Sequence, residues 1–158
     1  MFDPTGGYAI FNFHSIRDGS RLGAPGRDVL PELIAATYLT IDRLFRGTVG
    51  GTRAPGHTSF EDIQHSIMEV LMRLPKEMVV HPGHTDPTTI HEEWESNPFI
   101  RLWRGADQVN EQRCTAFGQP AALLLQAQDY DGGTKCWVRF EEEDKLDIVP
   151  GSQVHVAG

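Results

Sequence analysis

The sequence predicts an α/β chain in which a well-patterned middle is followed by a small all-β C-terminal appendage. Three observations lead there. Between residues 38 and 105, short apolar runs enclose a helix-periodic stripe of Ile63, Ile67, Val70, Leu71 and Leu74. The run Met78-Val79-Val80 does not alternate, as expected of a strand covered on both faces by helices. From about residue 106 the helical period disappears, and short apolar runs separated by turn residues take over.

The elements follow in order. Residues 1–37 are rich in Gly and Pro punctuation, with a short strand expected over residues 8–13 and a helical turn or two over residues 29–36. Tyr38-Leu39-Thr40-Ile41 reads as a strand running into Asp42, and Gly47-Thr48-Val49-Gly50-Gly51-Thr52 as a glycine-rich loop. Thr58 and Glu61 fit a capping box at the start of the striped helix, which Pro75 stops. Thr89 and Glu92 start a second, shorter helix that ends before Asn97-Pro98, with Trp94 and Trp103 anchoring it and its exit to the core. In the last third, residues 121–125, 135–140 and 147–149 read as strands of a half-barrel or meander. Asp131-Gly132-Gly133 supplies a turn between the first two, and Glu141-Glu142-Glu143-Asp144 a solvated turn before the third. The division is therefore an N-terminal segment 1–37, an α/β part 38–105 and a β-rich appendage 106–158.

Composition narrows the function classes. At 158 residues, the chain can form one domain or one domain with an appendage. No apolar run approaches the roughly 18 residues needed to span a bilayer, so no membrane partner is expected. Met1-Phe2-Asp3-Pro4 has neither the basic nor the apolar region of a secretion signal, and a cytoplasmic location is expected. The net charge of −8, with no Lys/Arg cluster, argues against nucleic acid and anionic membrane surfaces. Cys114 and Cys136 form no Cys-x-x-Cys and read as reduced thiols. There is no Gly-x-Ser-x-Gly elbow, Walker loop or His-Glu-x-x-His.

The stretch Val79-Val80-His81-Pro82-Gly83-His84-Thr85-Asp86-Pro87 carries the chemistry. It reads as a strand, a short Gly-containing turn with His84 at its tip, and a helix start, an arrangement that presents an imidazole from a rigid base. Asp42 stands in a comparable place, at the C-terminal end of a short strand before a glycine-rich segment. In open α/β sheets that edge is where ligands bind.

These residues resemble the C-terminal half of the metallo-β-lactamase-fold hydrolases, the superfamily that includes glyoxalase II. Ile41-Asp42-Arg43-Leu44-Phe45 matches the segment that supplies the family's metal-bridging Asp, and Pro82-Gly83-His84 matches its last metal-binding His. Thr88-Thr89-Ile90, Glu93 and Asn97-Pro98-Phe99 trail as they do in the family. The resemblance implies half of an αββα sandwich and one or two zinc ions. It also implies a metal-bound hydroxide that attacks an ester, thioester or amide of a small-molecule substrate. Asp42 and His84 are the metal ligands it assigns, with no catalytic residue beyond them. His81 and His57 are the substitute ligands on offer, and His91 a more distant one.

The family's His-x-His-x-Asp-His motif is absent, and the Pro-Gly-His-Thr at residues 55–58 comes after Asp42 rather than before it. Ile41 replaces the glycine that precedes the family's Asp. Two matched donors are fewer than the about three that a catalytic zinc needs. The expectation is therefore a hydrolase portion, truncated or frame-shifted at its N-terminus, that binds zinc weakly and is inactive alone. The alternative is a non-catalytic scaffold or assembly module. Its exposed half-sandwich would be covered by a homo-oligomer contact or by a complementing N-terminal half.

Overall fold

The computed structural model describes residues 37–39, 43–53 and 59–157. The elements expected over residues 8–13 and 29–36 lie outside the described residues, as do Asp42, His57 and Thr58.

Strand β1 (Thr37–Leu39) runs parallel to β4 (Val79–His81), with Thr37 opposite Val79 and Leu39 opposite His81. A two-residue strand, β5 (Thr88–Thr89), pairs antiparallel on the other side of β4. The expected strand-to-helix turn is thus a loop that first returns to the sheet. Thr88 is buried opposite Val80 and fixes the return.

The glycine-rich stretch is not a loop throughout. Its beginning forms a hairpin of β2 (Leu44–Phe45) and β3 (Thr48–Val49), in which Leu44 and Val49 face each other fully buried. Gly47, at φ 74°, supplies the left-handed conformation of the turn at little steric cost.

Helix α1 (Phe60–His65) starts one residue later than the sequence suggests. The Ser59 side chain, not Thr58, accepts from the Asp62 amide, at 3.2 Å. This register buries Phe60 and leaves Glu61 and Asp62 in the first turn, beside the positive end of the helix dipole. The helix continues as a π-helical turn (Ser66–Val70) and a 3-10 turn (Leu71–Arg73). Ser66 Oγ donates back to the Asp62 carbonyl (2.7 Å), and Arg43 donates to Ser66 Oγ (2.9 Å) where the turn widens. The wider turn selects among the stripe positions: Ile63, Ile67 and Leu71 are buried, whereas Val70 and Leu74 are only partly so. Leu74 is extended and Pro75 follows, which ends the helical run.

Helix α2 (Ile90–Ser96) is capped by Thr89, as expected. A further helix, α3 (Pro98–Trp103), follows directly. Asn97 Oδ1 accepts from the Phe99 and Ile100 amides, and Pro98 occupies the first helical position, where no N–H is needed.

The C-terminal residues form a five-stranded antiparallel sheet: β6 (Gln112–Ala116), β7 (Gln119–Gln128), β8 (Thr134–Phe140), β9 (Lys145–Pro150) and β10 (Val154–Val156). The order is β10-β6-β7-β8-β9: β6 to β9 form a four-stranded meander, and a fifth strand, β10, returns to pair with β6. Both expected turns are present. Gly132 (φ 86°) sits in the β7–β8 turn, and residues 141–144 form the exposed β8–β9 turn.

One apolar core joins α1, the β2–β3 hairpin, β4 and the α2–α3 pair to one face of this sheet through Ala122, Leu124, Trp137 and Ile148. Phe60 stacks on Trp137 (5.7 Å, 15°) and meets Trp103 edge-on (5.8 Å, 79°). The hairpin's tail also binds the edge of β9: the Thr52 amide donates to the Ile148 carbonyl (3.0 Å), and the Ile148 amide to Thr52 Oγ1 (3.0 Å). Cys114 and Cys136 are free, buried thiols on the other face. Burial, with Cys114 nearby, pushes the Cys136 thiol up to about 11. Among the described residues no helix is long and apolar enough to cross a membrane.

Candidate functional site

His84 lies in the bend between β4 and β5, exposed at the surface. The loop is tied to the hairpin turn, since the Arg46 amide donates to Thr85 Oγ1 (3.2 Å). Arg46 also pairs with Glu92 of α2 at 3.0 Å. These bonds fix the turn-tip position that the sequence suggested, although both charged partners are exposed and their pair is worth little.

Beneath the loop lies a buried polar knot that fixes the site's floor. Glu93 of α2 is 0% exposed. Its carboxylate accepts from the Gly47 amide (3.1 and 3.2 Å), Thr88 Oγ1 (2.8 Å) and Asn97 Nδ2 (2.8 Å). Asn97 Nδ2 also donates to the Thr48 carbonyl, and Asn97 Oδ1 caps α3. One carboxylate thus joins the β2–β3 turn, β5 and both helices. Burial raises the Glu93 pKa, against the opposing pull of the hydrogen bonds from Asn97, Thr88 and Gly47.

An aromatic group stands beside His84. Its ring stacks with that of Tyr130 (5.8 Å, 17°) and lies near Phe45 (6.1 Å, 30°), while Phe45 and Tyr130 are 4.7 Å apart. Phe45 comes from the hairpin, but Tyr130 comes from the β7–β8 turn of the C-terminal sheet. Lys135, buried below them, donates to the Val49 carbonyl (2.6 Å) and pairs with Asp129 (3.0 Å), with Phe45 and Tyr130 over its ammonium.

Of the four expected ligands, the described residues include His84 and His81. His81 is half-buried at the end of β4, and His91 is exposed on α2. Asp42 and His57 lie outside the described residues. Among the described residues no group of three or more His, Cys, Asp or Glu is placed to hold a metal ion. The described donors alone therefore do not fit a zinc site, which takes about three protein ligands when catalytic.

Sequence reasoning missed the roles of Glu93, Asn97, Tyr130 and Lys135. Glu93 and Asn97 carried a usable signal, being four apart at the end of α2, where Asn97 follows the last helical residue and still reaches the Glu93 carboxylate. Nothing in the local sequence points Tyr130 toward His84.

No family model matches the chain. Over 62 residues it is 44% identical to a probable metallo-hydrolase of Streptococcus pyogenes serotype M6, a match that covers 39% of this chain and 26% of that protein. Over 75 residues it is 39% identical to an uncharacterized protein of Aquifex aeolicus, covering 48% of this chain and 35% of that one. An uncharacterized protein of Mycobacterium leprae is 44% identical over 62 residues, covering 39% and 28% of the respective chains. The chain thus spans about a third or less of the length of these curated relatives. Among solved structures, the crystal structure of BLEG-1 B3 metallo-β-lactamase is similar with a TM-score of 0.40 and 31% identity, over 43% of this chain and 32% of that one. Over 62 residues the chain is similar to part of a protein named a probable metallo-hydrolase.

Proposed function

We propose that the chain is the C-terminal portion of a metal-dependent hydrolase of ester, thioester or amide bonds in a small-molecule substrate, and that it does not hydrolyse them alone. The observation that carries this reading is the register of the parallel pair β1–β4. Leu39 stands opposite His81, so β1 and β4 point their C-terminal ends the same way. Asp42 follows Leu39 by three residues in sequence, and His84 follows His81 by three. Such an edge is where open α/β sheets collect ligands. Two donors from these positions leave a zinc short of the protein ligands that a catalytic site requires, and the chain's own contribution is to present His84 from a loop that the Arg46–Thr85 bond ties to the hairpin.

The test is a hydrolysis assay on a chromogenic ester and a thioester with added zinc. The chain alone is expected to match the zinc-only blank. Mixed with a separately made N-terminal half from a relative carrying His-x-His-x-Asp-His, it is expected to gain turnover that His84→Ala abolishes. Turnover by the chain alone that His84→Ala removes would overturn the inactivity. A mixture that forms a complex in light scattering yet stays inactive would favour the scaffold reading.

A further inference from the structure

We propose that Phe117, Phe140 and Asp147 form a guanidinium-binding site on the C-terminal sheet. Its ligand is an arginine carried by an extended segment, and its occupant here is the chain's own Arg53. The Arg53 guanidinium lies over two rings at once, 5.0 Å from the centre of Phe140 and 5.5 Å from that of Phe117. Its Nη2 is 2.6 Å from Asp147 Oδ2, on a side chain only 3% exposed. Two aromatic faces and one buried carboxylate suit a planar, delocalised cation better than a compact ammonium, because a guanidinium stacks and pairs together.

Two of the three walls carry a cost that the cation relieves. Asp147 is a buried carboxylate on β9, and a buried charge without a counter-ion is strongly unfavourable. Among the described residues no hydrogen bond of regular geometry reaches its Oδ2, so the nearby cations, Arg53 and the more distant Lys145 (3.8 Å), balance it. Phe117 sits in the two-residue turn between β6 and β7 at φ 50°, followed by Gly118 at φ 76°. A bulky side chain rarely takes this left-handed conformation, and Asn-Gly would form the turn with less strain. The ring is 44% exposed, so core packing does not require it either. The Phe117 amide donates to the Gln153 carbonyl (3.0 Å), which fixes the turn. Its place over the guanidinium gives a reason for both the strain and the exposure.

The ligand enters as an added strand. β9 is an edge of the sheet, and Thr52 exchanges hydrogen bonds with Ile148 there, through its amide and its Oγ1. The next residue, Arg53, then meets Asp147, the residue before Ile148. Main-chain bonds at a sheet edge hold such a segment, and the pocket for the following side chain selects it.

The test is an NMR titration of Arg53→Ala, which vacates the site, with methylguanidinium chloride, following the Phe117 and Phe140 ring resonances. Both rings are expected to shift saturably, while methylammonium chloride moves neither. Wild type, with its site filled, is expected not to respond. Removing the exposed Phe117 ring as well is expected to weaken binding about tenfold. A thermal melt shows that each variant is folded. Rings that stay unmoved, or that respond equally to methylammonium or in wild type, would overturn the site. Hydrogen exchange at the Ile148 amide is read in parallel. It is expected to quicken about tenfold in Arg53→Ala, and Arg53→Lys, which keeps the charge, is expected not to restore it. Wild-type exchange in either variant would overturn the guanidinium as the anchor of the segment.

Discussion

Replacing Glu93 with alanine is expected to destabilise the chain by about 4 kcal/mol at neutral pH, because three buried donors lose their acceptor together. The Gly47 amide, Thr88 Oγ1 and Asn97 Nδ2 all point at this carboxylate. Thr88 has a second acceptor in Glu92 (3.1 Å), and Asn97 retains the Thr48 carbonyl, whereas the Gly47 amide donates to both Glu93 oxygens (3.1 and 3.2 Å). Glu93→Gln is expected to cost far less. Its amide can donate to Thr88 Oγ1, whose proton then goes to Glu92, while its oxygen keeps Asn97. Urea unfolding checks both, and a Glu93→Ala loss below about 1 kcal/mol would refute the knot as a structural pivot.

The same residue predicts a pH dependence of definite sign. Burial raises the Glu93 pKa above its ordinary value of 4.5, so in that window the folded chain binds more protons than the unfolded one. The pH-linked part of its contribution is fully present below the unfolded pKa and is lost as pH rises through the folded pKa, while its hydrogen bonds to Gly47, Thr88 and Asn97 remain at neutral pH. The stability gap between wild type and Glu93→Ala should therefore narrow between mildly acidic and neutral pH. A gap that widens with rising pH would contradict the assignment.

Phe60→Ala is expected to cost about 3–5 kcal/mol, the range for deleting a buried phenyl ring. Phe60 is the first residue of α1, and it fills the space between Trp103 and Trp137, the α3 and β8 sides of the core. Its removal should loosen the packing of the helical part on the C-terminal sheet. A thermal melt and the near-ultraviolet signal of Trp103 and Trp137 report this directly. A loss under about 1.5 kcal/mol would mean that the two parts do not share a load through this ring.

Local chemistry was legible in the sequence, and distant pairing was not. The buried stripe Ile63, Ile67 and Leu71 follows from the helical period, and the Thr89 cap from its hydroxyl and the acidic first turn. Helix α3 was hidden because Asn97-Pro98 reads as a stop. Asn97 ends α2 and caps α3 at once, and Pro98 is as good a helix start as it is a helix end. Strands β6 and β10 escaped because their inward residues are small or few. Only Cys114 and Ala116 of β6 are buried, and β10 has three residues.

At the candidate site, the turn that carries His84 was readable from Pro82-Gly83, and the bonds that hold it were not. Gly47 and Glu93 are 46 residues apart in the chain, and no periodicity connects them. The same separation divides His84 from Tyr130. The hairpin at Leu44–Val49 was masked by its glycines, since a turn glycine and a loop glycine look alike until the burial of Leu44 and Val49 shows which is which.

This chain is proposed to hold part of a metal site and not a complete one. Elemental analysis of the chain, purified with added zinc and then passed through gel filtration, tests it most directly. Well under one zinc per chain is expected, because weakly held metal is lost on the column. One or two zinc ions per chain, retained through the column and lost in His84→Ala, would contradict it.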